Sequence, residues 1–262
     1  MPTGYSFDNH APEADAQLAT LEAFLDPLTG ARLRPLMRAG ATCWEVGAGG
    51  GSVARLMASA VGPEGQVVAS DIDPSHMASG GNLTVVRHDA RTEPAPAGGP
   101  YDLIHARLLL LHLPERRKVL AELVNALAPG GWLVVEEFDC TAPLRVLTAP
   151  TDDAAKLFGQ VMEAILGCLR DRGADLAWAQ DVHTEMSLAG LTDIDTITHS
   201  QSWTGGSSGA ALHDLNSRTL EPRLLAAGIS LDQLRAFRQL SRDPAFASLS
   251  YQFVSTRGRK AL

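Results

Sequence analysis

Glu45-Val46-Gly47-Ala48-Gly49-Gly50-Gly51 sets a carboxylate two positions ahead of a cluster of glycines, where a short strand gives way to a helix opening at Ser52. Glycines let the chain turn sharply and approach a ligand closely, because no Cβ intervenes. Exposed amides at the start of the next helix would favour an anion. Glu45 opposes that preference, since a buried carboxylate repels a pyrophosphate and attracts an ammonium. Asp71 ends the second strand, 20 residues after Gly51. There a carboxylate can accept from both hydroxyls of a ribose. Asp89, beside Ala90, ends the third strand and can accept from an exocyclic amine. Together these residues describe a pocket for an adenosine carrying a cationic tail, which excludes most nucleotides.

The elements that must position them alternate between strand and helix. Residues 11–39 read as helix, with Pro27 as a break. Strands are expected at 42–46, 66–70, 83–87, 101–106 and 132–138, with helices at 52–61 and 115–127 between them. Such alternation implies crossover connections and a parallel sheet covered on both faces. Beyond Asp139 the spacing predicts a helix over 152–172, capped by Asp152 or Asp153, and another over 176–189 closed by Gly190. A weak strand follows at 194–203 and a final one at 249–255. Helices between them, including one opened by the capping-box pair Ser230 and Gln233, read as an insertion.

The expected organisation is therefore α/β: a three-layer, doubly wound sheet core (40–204 and 246–262). It carries an N-terminal helical cap (1–39), helices flanking the site (151–190) and a helical lid insertion (205–245).

Composition narrows the function. The chain has 262 residues and formal charge −8, with no basic stripe to hold a nucleic-acid backbone. Its three cysteines, Cys43, Cys140 and Cys168, are too dispersed for a disulfide framework or a structural zinc site. Asp71-Ile72-Asp73 could suggest a metal, but adjacent strand positions face opposite ways, so none is expected. No apolar run is long enough to span a membrane, and acidic residues in the first 25 positions leave no room for a secretory signal. The expectation is a cytoplasmic protein, monomer or homodimer, with no nucleic-acid or membrane partner.

Across segments 45–52, 67–74, 85–90, 101–114 and 127–137 the chain resembles the class I S-adenosylmethionine-dependent methyltransferases, most closely the small-molecule enzymes of bacterial secondary metabolism. The resemblance implies a seven-stranded sheet in order 3-2-1-4-5-7-6 with strand 7 antiparallel. It implies S-adenosylmethionine as cofactor, S-adenosylhomocysteine as product, and an in-line displacement by a carbon, oxygen or nitrogen nucleophile.

Carried over, Gly47, Ala48, Gly49 and Gly51, with Ser52, would line the methionine part and Glu45 would help hold its amine. Asp71 would bind the ribose, Ile72 would pack on the adenine, and Asp89 with the Ala90 amide would meet the adenine edge. Ala106 and Arg107 would present backbone to the methionine tail. Where relatives often carry two histidines, this chain has Leu111-His112, making His112 the candidate general base.

Tyr5, His10, Glu137, Phe158, Met162 and Trp203 are candidate acceptor contacts, and the run Glu136, Glu137 and Asp139 reads as a solvated acidic turn. Two rivals remain. A nicotinamide-dependent oxidoreductase would want glycine or alanine where Ser52 stands and leaves Glu45 unexplained. A protein that kept the cofactor fold without methylating would look alike at these positions.

Overall fold

The computed structural model describes residues 14–142 and 144–262, so the expectations at Tyr5 and His10 lie outside the described residues. Helix α1 (Ala14–Leu33) leads into β1 (Thr42–Val46), α2 (Ser52–Val61), β2 (Gln66–Asp71), β3 (Leu83–Arg87), β4 (Tyr101–Arg107), α3 (Arg116–Ala126) and β5 (Leu127–Asp139). There follow β6 (Val146–Thr148), α4 (Asp152–Arg170), α5 (Trp178–Leu188), β7 (Thr192–His199) and β8 (Ser202–Thr204). Then come α6 (Ser208–Thr219), α7 (Glu221–Ala226), α8 (Leu231–Leu240), β9 (Ala247–Leu249) and β10 (Gln252–Arg259).

Seven strands form one sheet in the order β3-β2-β1-β4-β5-β10-β7. The first five run parallel, and β10 is antiparallel to both neighbours. This is the expected order with the last strand reversed. Strand alternation sends side chains to two faces. Cys43, Val67, Leu103 and Val134 pack with Val53, Met57 and Val61 of α2 on one face. Trp44, Val68, Ile104 and Val135 face the opposite way, joining the cluster that holds α3 and α5.

A second, three-stranded antiparallel sheet, β6-β9-β8, was not expected. The single strand read at 194–203 is two strands, β7 in the large sheet and β8 in the small one. The final strand divides in the same way: β9 joins the small sheet, and β10 runs on to Arg259. The change of sheet is pinned by Ser250, whose amide donates to the Gln201 carbonyl (2.8 Å) while its hydroxyl accepts from the Gln201 amide (3.1 Å). Helices α6, α7 and α8 fill the segment between β8 and β9. Helix α6 packs on α1, and α7 and α8 pack on α4.

Three local expectations change. Helix α1 runs through Pro27 unbroken. Loss of one ladder amide there costs about 3 kcal/mol, which burial of Leu25 and Leu33 and contacts with α2 and α6 offset. The cap of α4 is Thr151, whose Oγ1 accepts from the Ala154 amide at 3.1 Å, leaving Asp152 and Asp153 in the first turn. The acidic run 136–139 is no turn: Glu136, Glu137 and Asp139 lie inside β5 and are buried.

Candidate active site

Register explains how a polar row forms at the carboxyl edge of the sheet. Glu45 pairs with His105, and Arg107 pairs with Glu136. Glu45 lies two residues beyond Cys43, His105 two beyond Leu103, and Glu136 two beyond Val134. The period of two therefore puts all three on the face toward α2, just past its apolar floor. His105 Nδ1 donates to Glu45 Oε2 at 2.6 Å, and its Nε2 lies 3.2 Å from Glu136 Oε2. Burial alone would lower the His105 pKa, but the two carboxylates outweigh it and push it up to about 9, so the ring is an imidazolium at neutral pH. Burial pushes the Glu45 carboxyl above its usual range while His105 draws it back. Glu136 is held below the usual range: desolvation is outweighed by His105 and the Thr29 hydroxyl, whose Oγ1 donates at 2.5 Å.

Helix α1 closes this network from above. Arg107 reaches Thr29 Oγ1 (3.0 Å) and Asp26 (3.0 Å). His105 has no sequence signature, since its meaning depends on which residues stand beside it in the sheet.

The glycine turn follows β1. Gly47, Gly49 and Gly51 adopt φ of +69°, +52° and +77°, a region that disfavours side chains. A Cβ on Gly47 would meet the Leu109 side chain at 3.0 Å. Within the turn itself most amides are already spent. Gly47 and Ala48 donate to the Ser70 carbonyl (2.8 and 3.0 Å), Gly49 to Asp71 Oδ2 (2.9 Å) and Gly51 to the Ala48 carbonyl (2.8 Å). The amides of Gly47, Ala48 and Gly49 fasten the turn to β2, and that of Gly51 closes the turn on itself.

Asp71 closes β2 with its other oxygen accepting from the Asp73 amide at 3.0 Å. Asp89 is gripped by Arg91, Nε to Oδ1 at 2.9 Å and Nη2 to Oδ2 at 2.7 Å. That guanidinium holds the carboxyl below its usual range.

A cavity with about 1230 Å³ of empty space, its open mouth included, lies over this edge. It brings together Glu45, Gly47, Ala48, Gly49, Ser52, Asp71, Ile72, Asp89, Ala90 and Arg107. Gly51 and Ala106 are not among its lining residues. Gly51 is the N-cap of α2, turned toward Met77, and Ala106 is fully buried within the sheet. Gly50, Glu22, His88 and the leucines Leu18, Leu21, Leu108, Leu109 and Leu113 line it without having been singled out. Leu18 and Leu21 bring α1 over the cavity.

A second cavity adjoins the first, sharing Leu18, Leu21 and Leu108. His112 lines this one, not the first, and burial together with the Arg116 charge lowers its pKa to about 4. Glu137, Phe158, Met162 and Trp203 line neither cavity. Glu137 is fully buried, its Oε1 accepting from the amides of Leu110 (2.7 Å) and Leu111 (3.3 Å). Phe158 stacks on Phe237, Trp203 meets Phe24 and His213 ring to ring, and Met162 lies in the same apolar cluster. These three side chains serve packing. Among the described residues no cluster of His, Cys, Asp or Glu could hold a metal, and no helix is long and apolar enough to cross a membrane.

A parallel sheet closed by one reversed strand, a glycine turn after its first strand and a carboxylate ending its second define the class I methyltransferase fold. The chain belongs to the methyltransferase-domain family, whose model matches residues 18–216. It is 34% identical over 96 residues to methyltransferase str2 of Strobilurus tenacellus, covering 36% of this chain and 34% of that one. It is 31% identical over 112 residues to the ubiquinone/menaquinone biosynthesis C-methyltransferase UbiE of Ectopseudomonas mendocina, covering 39% and 43%. The chain thus spans less than half the length of these curated relatives. Among solved structures, phosphoethanolamine N-methyltransferase 2 of Haemonchus contortus, in complex with S-adenosyl-L-methionine, superposes with a TM-score of 0.60. That match has 14% identity and covers all of this chain and 61% of that one, a likeness of fold.

Proposed function

We propose that this chain transfers a methyl group from S-adenosylmethionine to a small-molecule acceptor. The observation that carries this reading is the charge of the first cavity. Five carboxylates (Glu22, Glu45, Asp71, Asp73, Asp89) line it against two guanidiniums (Arg91, Arg107); Arg91 and Arg107 are themselves paired with Asp89 and Asp26, and Glu45 is paired with the His105 imidazolium behind the lining. Such a lining attracts a cationic cofactor and repels a pyrophosphate. The donor set fits: Asp71 for ribose hydroxyls, Asp89 and Ala90 for the adenine edge with Ile72 against its face, and Glu45 for the ammonium. The turn 47–50 supplies the close backbone approach.

When bound, the cofactor supplies an electrophilic methyl on a sulfonium. The residues bind, orient and exclude water, which is where most of the rate of such a displacement arises. Leu18, Leu21 and Leu108 stand between the two cavities and keep the reacting region dry. His112, neutral at physiological pH, offers a hydrogen bond to the acceptor; at a pKa of about 4 it is a weak proton store.

The charge of −8, the dispersed cysteines and the helical cover support a cytoplasmic small-molecule enzyme, monomer or homodimer, with no nucleic-acid partner. Likeness to str2 and to a bacterial C-methyltransferase supports a place in secondary or quinone-type metabolism. Helices α6–α8 serve as the lid and α1 as the cap.

Calorimetric titration with S-adenosylhomocysteine tests the cofactor reading. Asp71→Ala weakens binding about 10- to 100-fold, the worth of hydrogen bonds to a charged group, while Asp71→Asn loses less. An unchanged affinity in Asp71→Ala would refute the assignment.

A further inference from the structure

We infer that the second cavity is the acceptor site and that it takes an uncharged, largely apolar ring compound, not an anionic or cationic one. The inference rests on the methyl-transfer reading and goes beyond it to the substrate class. The cavity holds about 740 Å³ of empty space, its opening included, and adjoins the first through Leu18, Leu21 and Leu108. Among the described residues no Lys, Arg, Asp or Glu lines it. A carboxylate, phosphate or ammonium entering it would lose its hydration with nothing of opposite charge to meet it.

Its polar groups are all neutral. Gln17 Nε2 donates to Asn216 Oδ1 at 2.7 Å across α1 and α6, and each amide keeps further hydrogen-bonding capacity. Burial keeps His112 unprotonated, the Cys140 thiol up at about 12 and the Tyr251 phenol likewise protonated. Apolar walls complete the lining, among them Phe138, whose ring stacks on Tyr251 at 5.1 Å between centroids. Flat aromatic faces with a few neutral hydrogen-bonding groups suit a ring compound bearing a hydroxyl or carbonyl.

The test is equilibrium dialysis of the full chain, saturated with S-adenosylhomocysteine, against three probes of one shape: 2-naphthol, 2-naphthoate and 2-naphthylmethylammonium at pH 7. Naphthol binds at least about 10-fold tighter than either ion. Leu169→Trp, which fills the cavity, abolishes naphthol binding, and Leu212→Arg shifts preference toward naphthoate. Separately measured affinity for S-adenosylhomocysteine reports whether each variant is folded. Equal binding of all three probes, or naphthol binding untouched in both folded variants, overturns the inference. Naphthol selectivity in a protein with no affinity for S-adenosylhomocysteine overturns the methyl-transfer reading instead.

Discussion

Glu45, His105 and Glu136 show how far one side chain's meaning depends on its neighbours. Two buried carboxylates share a single imidazolium, and removing it leaves only the Arg107 charge near Glu45 and the hydroxyls of Thr29 and Ser255 beside Glu136. We expect His105→Ala to lose about 3–5 kcal/mol in urea denaturation, with part of the loss recovered in the double variant that adds Glu136→Gln. A loss below about 1 kcal/mol would mean that the ring is not charged as described.

Glu137 gives the opposite case at the same scale. Burial, only partly countered by the amides of Leu110 and Leu111, pushes its carboxyl up to about 8. A folded pKa above the unfolded one means that the native state binds the extra proton. Stability is then full below about pH 4.5 and falls as pH rises toward 8. Glu137→Gln keeps an acceptor for those amides without the ionisation penalty. Its stability relative to the unsubstituted chain should rise by roughly 3–6 kcal/mol between pH 4.5 and 8.5. A pH-independent difference would show that Glu137 ionises normally.

At the scale of elements, α1 is bound to the sheet through polar contacts as well as packing. The Thr29 hydroxyl sits between Arg107 and Glu136, and Leu18 and Leu21 on the same helix line the first cavity. Thr29→Val preserves shape and deletes that hydroxyl. We expect about 1–3 kcal/mol of lost stability, with faster hydrogen exchange concentrated in α1. Uniform exchange across the molecule would contradict a dedicated role for this contact.

Local chemistry made several elements readable in advance. The capping box at Ser230 and Gln233 is formed as its spacing implies, and Gly190 follows α5 with φ +87°. The failures come where tertiary contacts decide. Pro27 sits inside α1 because packing tolerates it. Strands β7 and β8 look continuous in sequence, but the Ser250–Gln201 hydrogen bonds assign them to different sheets.

Across the whole molecule, the fold was legible because strand and helix periods alternate clearly through residues 42–138. That most of the singled-out residues line one cavity followed too, since they lie at the ends of consecutive strands and topology brings such ends together. The lining of the second cavity was not legible. Its walls come from α1, the loop 108–112, α4, α6 and the ends of β5 and β10, and no spacing within one segment announces that meeting. Phe158, Met162 and Trp203 were plausible by type and proved to be packing, while Gln17, Asn216 and Tyr251 carried no motif.

We propose that the acidic cavity beside the glycine turn reads a cationic amino-acid tail on adenosine. Side-by-side calorimetric titration of the unsubstituted protein with S-adenosylmethionine, adenosine and reduced nicotinamide dinucleotide tests it most directly. We predict one saturable site for S-adenosylmethionine, weaker binding of adenosine and no binding of the dinucleotide. Saturable dinucleotide binding, or adenosine held as tightly as S-adenosylmethionine, would contradict it.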